Sequence, residues 1–189
     1  MTKWKMLFGL VLCLGLLAVP GRAQDAAKKE PPKPALIPSK ELLESWNDIG
    51  RKLIAMAEDF PEDKYEYKPH ADSRTFAANL IHAAASMYYF TDIASGQKPR
   101  YADDPKRDDL KTKAQVVAFV KKAVQDGADL IKSKDDKWLN ETVNDGSPQL
   151  AHISALANGL IEHSGEHYGQ LVVYYRNNGL VPPESRPKK

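Results

Sequence analysis

Apolar positions recur at helical spacing along most of this chain. From about Ser39 to Asp59, Leu42, Trp46, Ile49, Leu53, Met56 and Phe60 follow one another at intervals of four and three, which places them on one helical face. Pro61 stops that run. A second helix is predicted from about Thr75 to Ala94. It carries two apolar rows, Phe76-Leu80-Ala83-Met87-Phe90 and Ala78-His82-Ala85-Tyr89-Ile93, so it is expected to be buried on more than one side. A third is predicted from Thr112, which forms a capping box with Gln115, to about Ser133, with Gly127 as a weak point. The fourth and longest is predicted to open with Ser147 as cap and Pro148 at its first position, and to close at Gly179 about 30 residues later. No segment alternates convincingly like a strand, although a short turn is expected near Trp138 and Leu139.

These four segments predict an all-α four-helix bundle. The polar stretch Ser95 to Lys111 favours one of two connectivities, up-down-down-up over up-down-up-down. Seventeen residues are long for a link between bundle helices, where about two to eight are usual. They are long enough to travel the bundle's length and start the third helix beside the start of the second. That is an up-down-down-up order, with the second and fourth helices antiparallel.

The N-terminus does not belong to that pattern. Lys3 and Lys5 precede an apolar run from Met6 to Val19, followed by Pro20, Gly21, Arg22 and Ala23. This is the layout of a secretory signal peptide spanning residues 1–23, and the run is shorter than the roughly 20 residues of a membrane span. A retained anchor is the alternative. Residues 24–39, rich in Lys, Ala and Pro, read as a disordered tether, and the bundle domain occupies residues 40–186. The expected location is exported, periplasmic or secreted, in a bacterial setting.

Cleavage changes the chemistry available. Cys13 is the single cysteine and would be lost, which excludes thiolate catalysis and cysteine-ligated metal. The basic count falls from 27 to 24 against 25 acidic residues, moving the net charge from +2 to −1. Nothing in that balance points to nucleic acid or to stable membrane association after cleavage. A small-molecule substrate is the expected partner, with room for a homodimer.

Candidate chemistry lies in the histidines. His163 and His167 are one turn apart on the stripe Leu156-Leu160-His163-His167-Gln170-Tyr174, the predicted core-facing row. Two imidazoles there need polar partners in an apolar place, and a metal ion supplies them. His82, flanked on its own row by Ala78 and Ala85, is the candidate third ligand. His70 follows Pro69 in a loop, and His152 lies eleven residues before His163, about 16 Å along a helix. Antiparallel second and fourth helices bring the three remaining histidines to similar depth.

Several stretches together resemble the DinB/YfiT-like metalloenzyme family. They are Phe60-Pro61-Glu62-Asp63-Lys64 leading to Tyr67-Lys68-Pro69, Asn79-Leu80-Ile81-His82, and His163-Ser164-Gly165-Glu166-His167-Tyr168-Gly169-Gln170-Leu171. The last is followed by Tyr174-Tyr175-Arg176 and Gly179-Leu180-Val181-Pro182-Pro183. The likeness covers about residues 40–186, and its most specific part is the segment from His163 to Gln170. It implies an up-down-down-up bundle with one divalent metal on His82, His163 and His167. Members of that family include thiol-dependent transferases and isomerases, and many have no assigned reaction; an open position on the metal suits a metal-dependent hydrolase or transferase. An export signal departs from the cytosolic thiol transferases of the family.

Three neutral imidazoles leave coordination positions open, the composition of catalytic zinc sites, and imidazole suits nickel and iron as well. Asn79 and Gln170, expected to be buried, are candidates for binding substrate or steadying a ligand histidine, with a plain helix–helix hydrogen bond as the alternative for each. Glu166 also fits a reversed zinc-peptidase pattern in which a glutamate is general base. That pattern needs a ligand far downstream, and only 22 residues follow His167. A solvent-facing glutamate is the alternative there. Trp46 and Tyr89 are expected either to line a pocket or to fill the core. The competing functional reading is a non-catalytic metal-binding or stress-associated four-helix protein. A solvent-reaching cavity at the histidines favours the enzyme, and a sealed core favours the alternative.

Overall fold

The computed structural model describes residues 37–187. The expected signal peptide at residues 1–23 and nearly all of the expected 24–39 tether lie outside them. Four helices make the domain: α1 Pro38–Asp59, α2 Phe76–Ala94, α3 Lys113–Lys132 and α4 Ile153–Asn177. None of the described helices is long and apolar enough to cross a membrane.

Local chemistry sets most of the boundaries. Pro38 sits in the first turn of α1. The Thr75 hydroxyl caps α2 by accepting from the Ala78 amide. Thr112 and Gln115 form the full reciprocal box that opens α3. Gly179, at φ +69°, closes α4. There the Leu180 amide donates to the Tyr175 carbonyl and the Gly179 amide to that of Arg176, which satisfies carbonyls the helix leaves open.

The start of α4 differs from the sequence expectation. The helix begins at Ile153 and has 25 residues. Ser147 and Pro148 lie instead in the loop of a small hairpin, where β1 Thr142–Val143 pairs antiparallel with β2 Ala151–His152. The Asn144 side chain accepts from the Gly146 amide, the Asp145 carboxylate from the Ser147 amide, and Gly146 takes φ +86°. These short-range bonds offer the backbone a turn in competition with a helical start.

Aromatic contacts fix the direction of the helices. The Phe60 ring, just after α1, stacks on Phe76 at the start of α2 at 3.9 Å and packs 4.9 Å from Tyr175 near the end of α4. Lys113 at the start of α3 donates to the Phe60 carbonyl. The C-termini of α1 and α4 and the N-termini of α2 and α3 therefore share one end, which is the up-down-down-up order. α1 packs on α3 and α4, and α2 packs on the same two. The crossover between α2 and α3 is pinned at both ends. Arg100 pairs with buried Asp92 and lies over the Tyr88 ring, and Arg107 pairs with Glu66. Gly127 is less a flaw in α3 than a seat for Trp46. A Cβ there would fall 2.1 Å from the Trp46 ring, whose Nε1 donates to the Val124 carbonyl.

Candidate metal centre

His82 stands at the seventh position of α2, and His163 and His167 lie one turn apart in α4. Because these helices pack antiparallel, the three rings meet. Their centroids are 5.2 Å (82–163), 4.7 Å (82–167) and 4.5 Å (163–167) apart. One ring nitrogen from each lies within 4.8 Å of the others. His70 is exposed in its loop, and His152 precedes α4 with Nδ1 against the Asn140 carbonyl, so neither joins them.

The cluster grades from interior to surface. His167 is 4% exposed, whereas the side chains of His82 and His163 are 22% and 33% exposed. His163 forms part of the floor of a cleft of about 410 Å³ open to solvent. Its other walls are Ala85, Ser86, Tyr89 and Leu160 from the helices and Tyr101 to Asp104 from the crossover. Tyr89 thus lines the cavity, while Trp46 is fully buried against Phe90.

Each ring has a polar partner. Asp104 holds both carboxylate oxygens 2.8 and 2.9 Å from His82 Nδ1. Asn79, 1% exposed, places Oδ1 2.5 Å from His167 Nδ1 and donates through Nδ2 to Gln170. With Asn79 accepting from Nδ1–H, the His167 lone pair sits on Nε2. The Ser86 hydroxyl is 3.1 Å from His163 Nε2. Burial, then the neighbouring His163 and His82, pushes His167 down to about 4. Burial, then the neighbouring His82 ring, lowers His163 as well. Neutral imidazoles with steadied rings are what ligation of a divalent cation requires, so the donor set fits a metal ion.

Two expected participants stand apart from the centre of the cluster. Gln170 is exposed, not buried, and reaches the site only through its bond to Asn79. Gln170 faces a surface cleft that it lines with Ser73, Arg74 and Tyr174, although Tyr174, the next residue of the stripe, is buried. The Glu166 side chain is 66% exposed and its carboxylate is 4.0 Å from His163 Nδ1. Asp104 and Ser86 were missed from the sequence. Ser86 had a signal, since it follows His82 by one turn on the same face. Asp104 had none, because Asp103, Asp108 and Asp109 in the same loop were equal candidates.

Fold and site together define an all-α four-helix protein of up-down-down-up connectivity with a three-histidine cluster that could hold a metal. The chain belongs to the DinB superfamily, whose family model matches residues 46–171. A DinB-like protein from Bacillus cereus has a similar solved structure, with TM-score 0.65 and 16% identity over 76% of this chain and 95% of that one. A DinB-like protein from Bacillus subtilis gives TM-score 0.62 and 18% identity over 75% and 93%. YfiT from Bacillus subtilis, described as a probable metal-dependent hydrolase with an unusual four-helix bundle topology, gives 0.60 and 12% over 80% and 95%. At these identities the likeness is one of fold. No curated protein sequence matches the chain.

Proposed function

We propose that this protein is an exported metal-dependent hydrolase of small molecules, with one divalent ion, zinc in the first instance, on His82, His163 and His167. The observation that carries this reading is the position of the cluster. His163, one of the three rings that would hold the ion, opens onto a cleft of about 410 Å³ that a small molecule can enter. The likeness in fold to YfiT supports hydrolysis in particular. An apparent export signal speaks against a thiol-dependent transfer, since low-molecular-weight thiols are a cytosolic resource.

A divalent ion held by these rings supplies Lewis-acid activation of water or of a substrate oxygen. The chain's own residues prepare that chemistry. Asp104 and Asn79 hold the His82 and His167 rings in one orientation and one tautomer. Tyr89, Tyr101 and Leu160 give the cleft apolar walls that receive the carbon skeleton of a substrate and exclude water around it.

The test is elemental analysis of the purified mature protein, followed by a screen of ester and amide substrates with His163→Ala as control. One ion per chain and turnover abolished in the variant support the reading. A protein that binds the ion stoichiometrically, loses stability on chelation and turns over no member of the panel is instead a metal-binding protein without hydrolytic activity.

A further inference from the structure

The arginines of the domain are not treated alike. Arg51, Arg100, Arg107 and Arg186 each hold a carboxylate by hydrogen bonds. Arg74 and Arg176 make no side-chain hydrogen bond among the described residues, and of these two only Arg74 lies beside the histidine cluster's partner Asp104. Its side chain is 49% exposed, and it lies 4.0 Å from the Asp104 carboxylate. Asp104 is already engaged at 2.8 Å by His82 and lines the cleft. Arg74 therefore stands at the junction of two depressions. One is the Tyr89–Tyr101 cleft reached across Asp104, and the other is the surface cleft of about 420 Å³ that Arg74 shares with Ser73, Gln170 and Tyr174. Gln170 in turn bonds Asn79, the partner of His167.

A planar guanidinium with its donors unspent is matched to a carboxylate, which it grips through two parallel bonds. The aromatic walls of the adjoining cleft suit a flat apolar group. We propose that Arg74 is an anion-recognition residue of this site, and that the substrate is a small aromatic or similarly flat compound bearing a carboxylate, with its ring between Tyr89 and Tyr101. This deepens the hydrolase reading and rests on it for the word substrate, but the binding preference belongs to the chain's own residues.

Three probes of one shape and different charge test it: benzoate, neutral benzamide and cationic benzylamine. Each is titrated by calorimetry or by chemical-shift perturbation into wild-type protein and Arg74→Gln, both metal-free and zinc-loaded. Among the described residues the Arg74 side chain holds no other group, and its carbonyl, which accepts from Tyr174, is unchanged by substitution. Equal zinc stoichiometry and equal melting temperature in the two proteins confirm that the variant is folded. Benzoate is expected to bind wild type about tenfold more tightly than benzamide, and Arg74→Gln to erase that margin, as loss of a charge-assisted pair does. Arg74→Lys recovers part of it. A benzoate affinity unaffected by Arg74→Gln, which is what attachment to zinc alone produces, overturns the proposal. So does tighter binding of benzylamine, which would assign recognition to Asp103 and Asp104. Failure to bind zinc sinks the hydrolase reading and leaves the metal-free titrations to decide the role of Arg74.

Discussion

Asp104 reaches across 22 residues of sequence to place its carboxylate 2.8 Å from His82 Nδ1. This single contact ties the middle of the crossover loop to the candidate metal centre, because the loop's other anchors, Arg100 and Arg107, attach to Asp92 and Glu66 on either side. A carboxylate behind a ligand histidine raises the basicity of the ring and fixes its orientation. Its loss typically costs about 10- to 100-fold in metal affinity. Asp104→Ala is therefore expected to weaken zinc binding by that factor in competition with a chromophoric chelator, and Asp104→Asn by less, since an acceptor remains. Hydrogen exchange in residues 102–106 should slow on zinc addition in the wild type and not in Asp104→Ala.

Proton linkage gives a second expectation. His167 is lowered to about 4 in the folded chain and returns to its ordinary 6.5 when unfolded. Between those values the unfolded chain binds the extra proton, so acid favours unfolding. The stability of the metal-free protein should be complete above pH 6.5 and decline as pH falls toward 4, by on the order of 2–3 kcal/mol. Urea unfolding at several pH values in the presence of a chelator measures the slope. His167→Gln should flatten it within that window, whatever its effect on stability at neutral pH.

The seat of Trp46 on α3 is a third test. Gly127→Ala puts a methyl group 2.1 Å from a ring carbon that is fully buried, and the nearest obstacle is a rigid indole in the core. The helix gains a better former, worth about 1 kcal/mol, and loses its close packing. Overpacking of about 1–3 kcal/mol or more should prevail. A lower urea midpoint, with tryptophan fluorescence shifted to the red, is the expected result. An increase in stability would mean that α3 can slide away from α1 at little cost.

Capping supplies a fourth. Thr112 accepts from the Gln115 amide while Gln115 returns a bond to the Thr112 amide. Thr112→Ala should cost about 1 kcal/mol. Thr112→Ser should cost a few tenths of a kcal/mol at most, since serine caps as well as threonine. Both are read from denaturant midpoints. The metal affinity should not change, because the cap lies apart from the histidines in every contact described.

Much of this protein is written in short-range pattern. Heptad-like rows of apolar residues, the Thr112–Gln115 box and the Gly179 stop determine three helices almost to the residue and the end of the fourth. The length of the Ser95–Lys111 stretch favours the up-down-down-up connectivity, because no chain so long is needed between antiparallel neighbours. The spacing of His163 and His167, with His82 on a row of α2 flanked by small residues, determines that three imidazoles meet once α2 and α4 run oppositely. Tertiary structure decided what depends on distance through space. The start of α4 was settled by a hairpin whose side chain–backbone bonds compete with the Ser147–Pro148 signal. The exposure of Gln170 was settled by where the helix surface leaves its neighbours. Asp104, rather than Asp103, became the partner of His82 because of the path the crossover takes over the cleft, and a loop's path is set by its anchors and not by any periodicity in its residues.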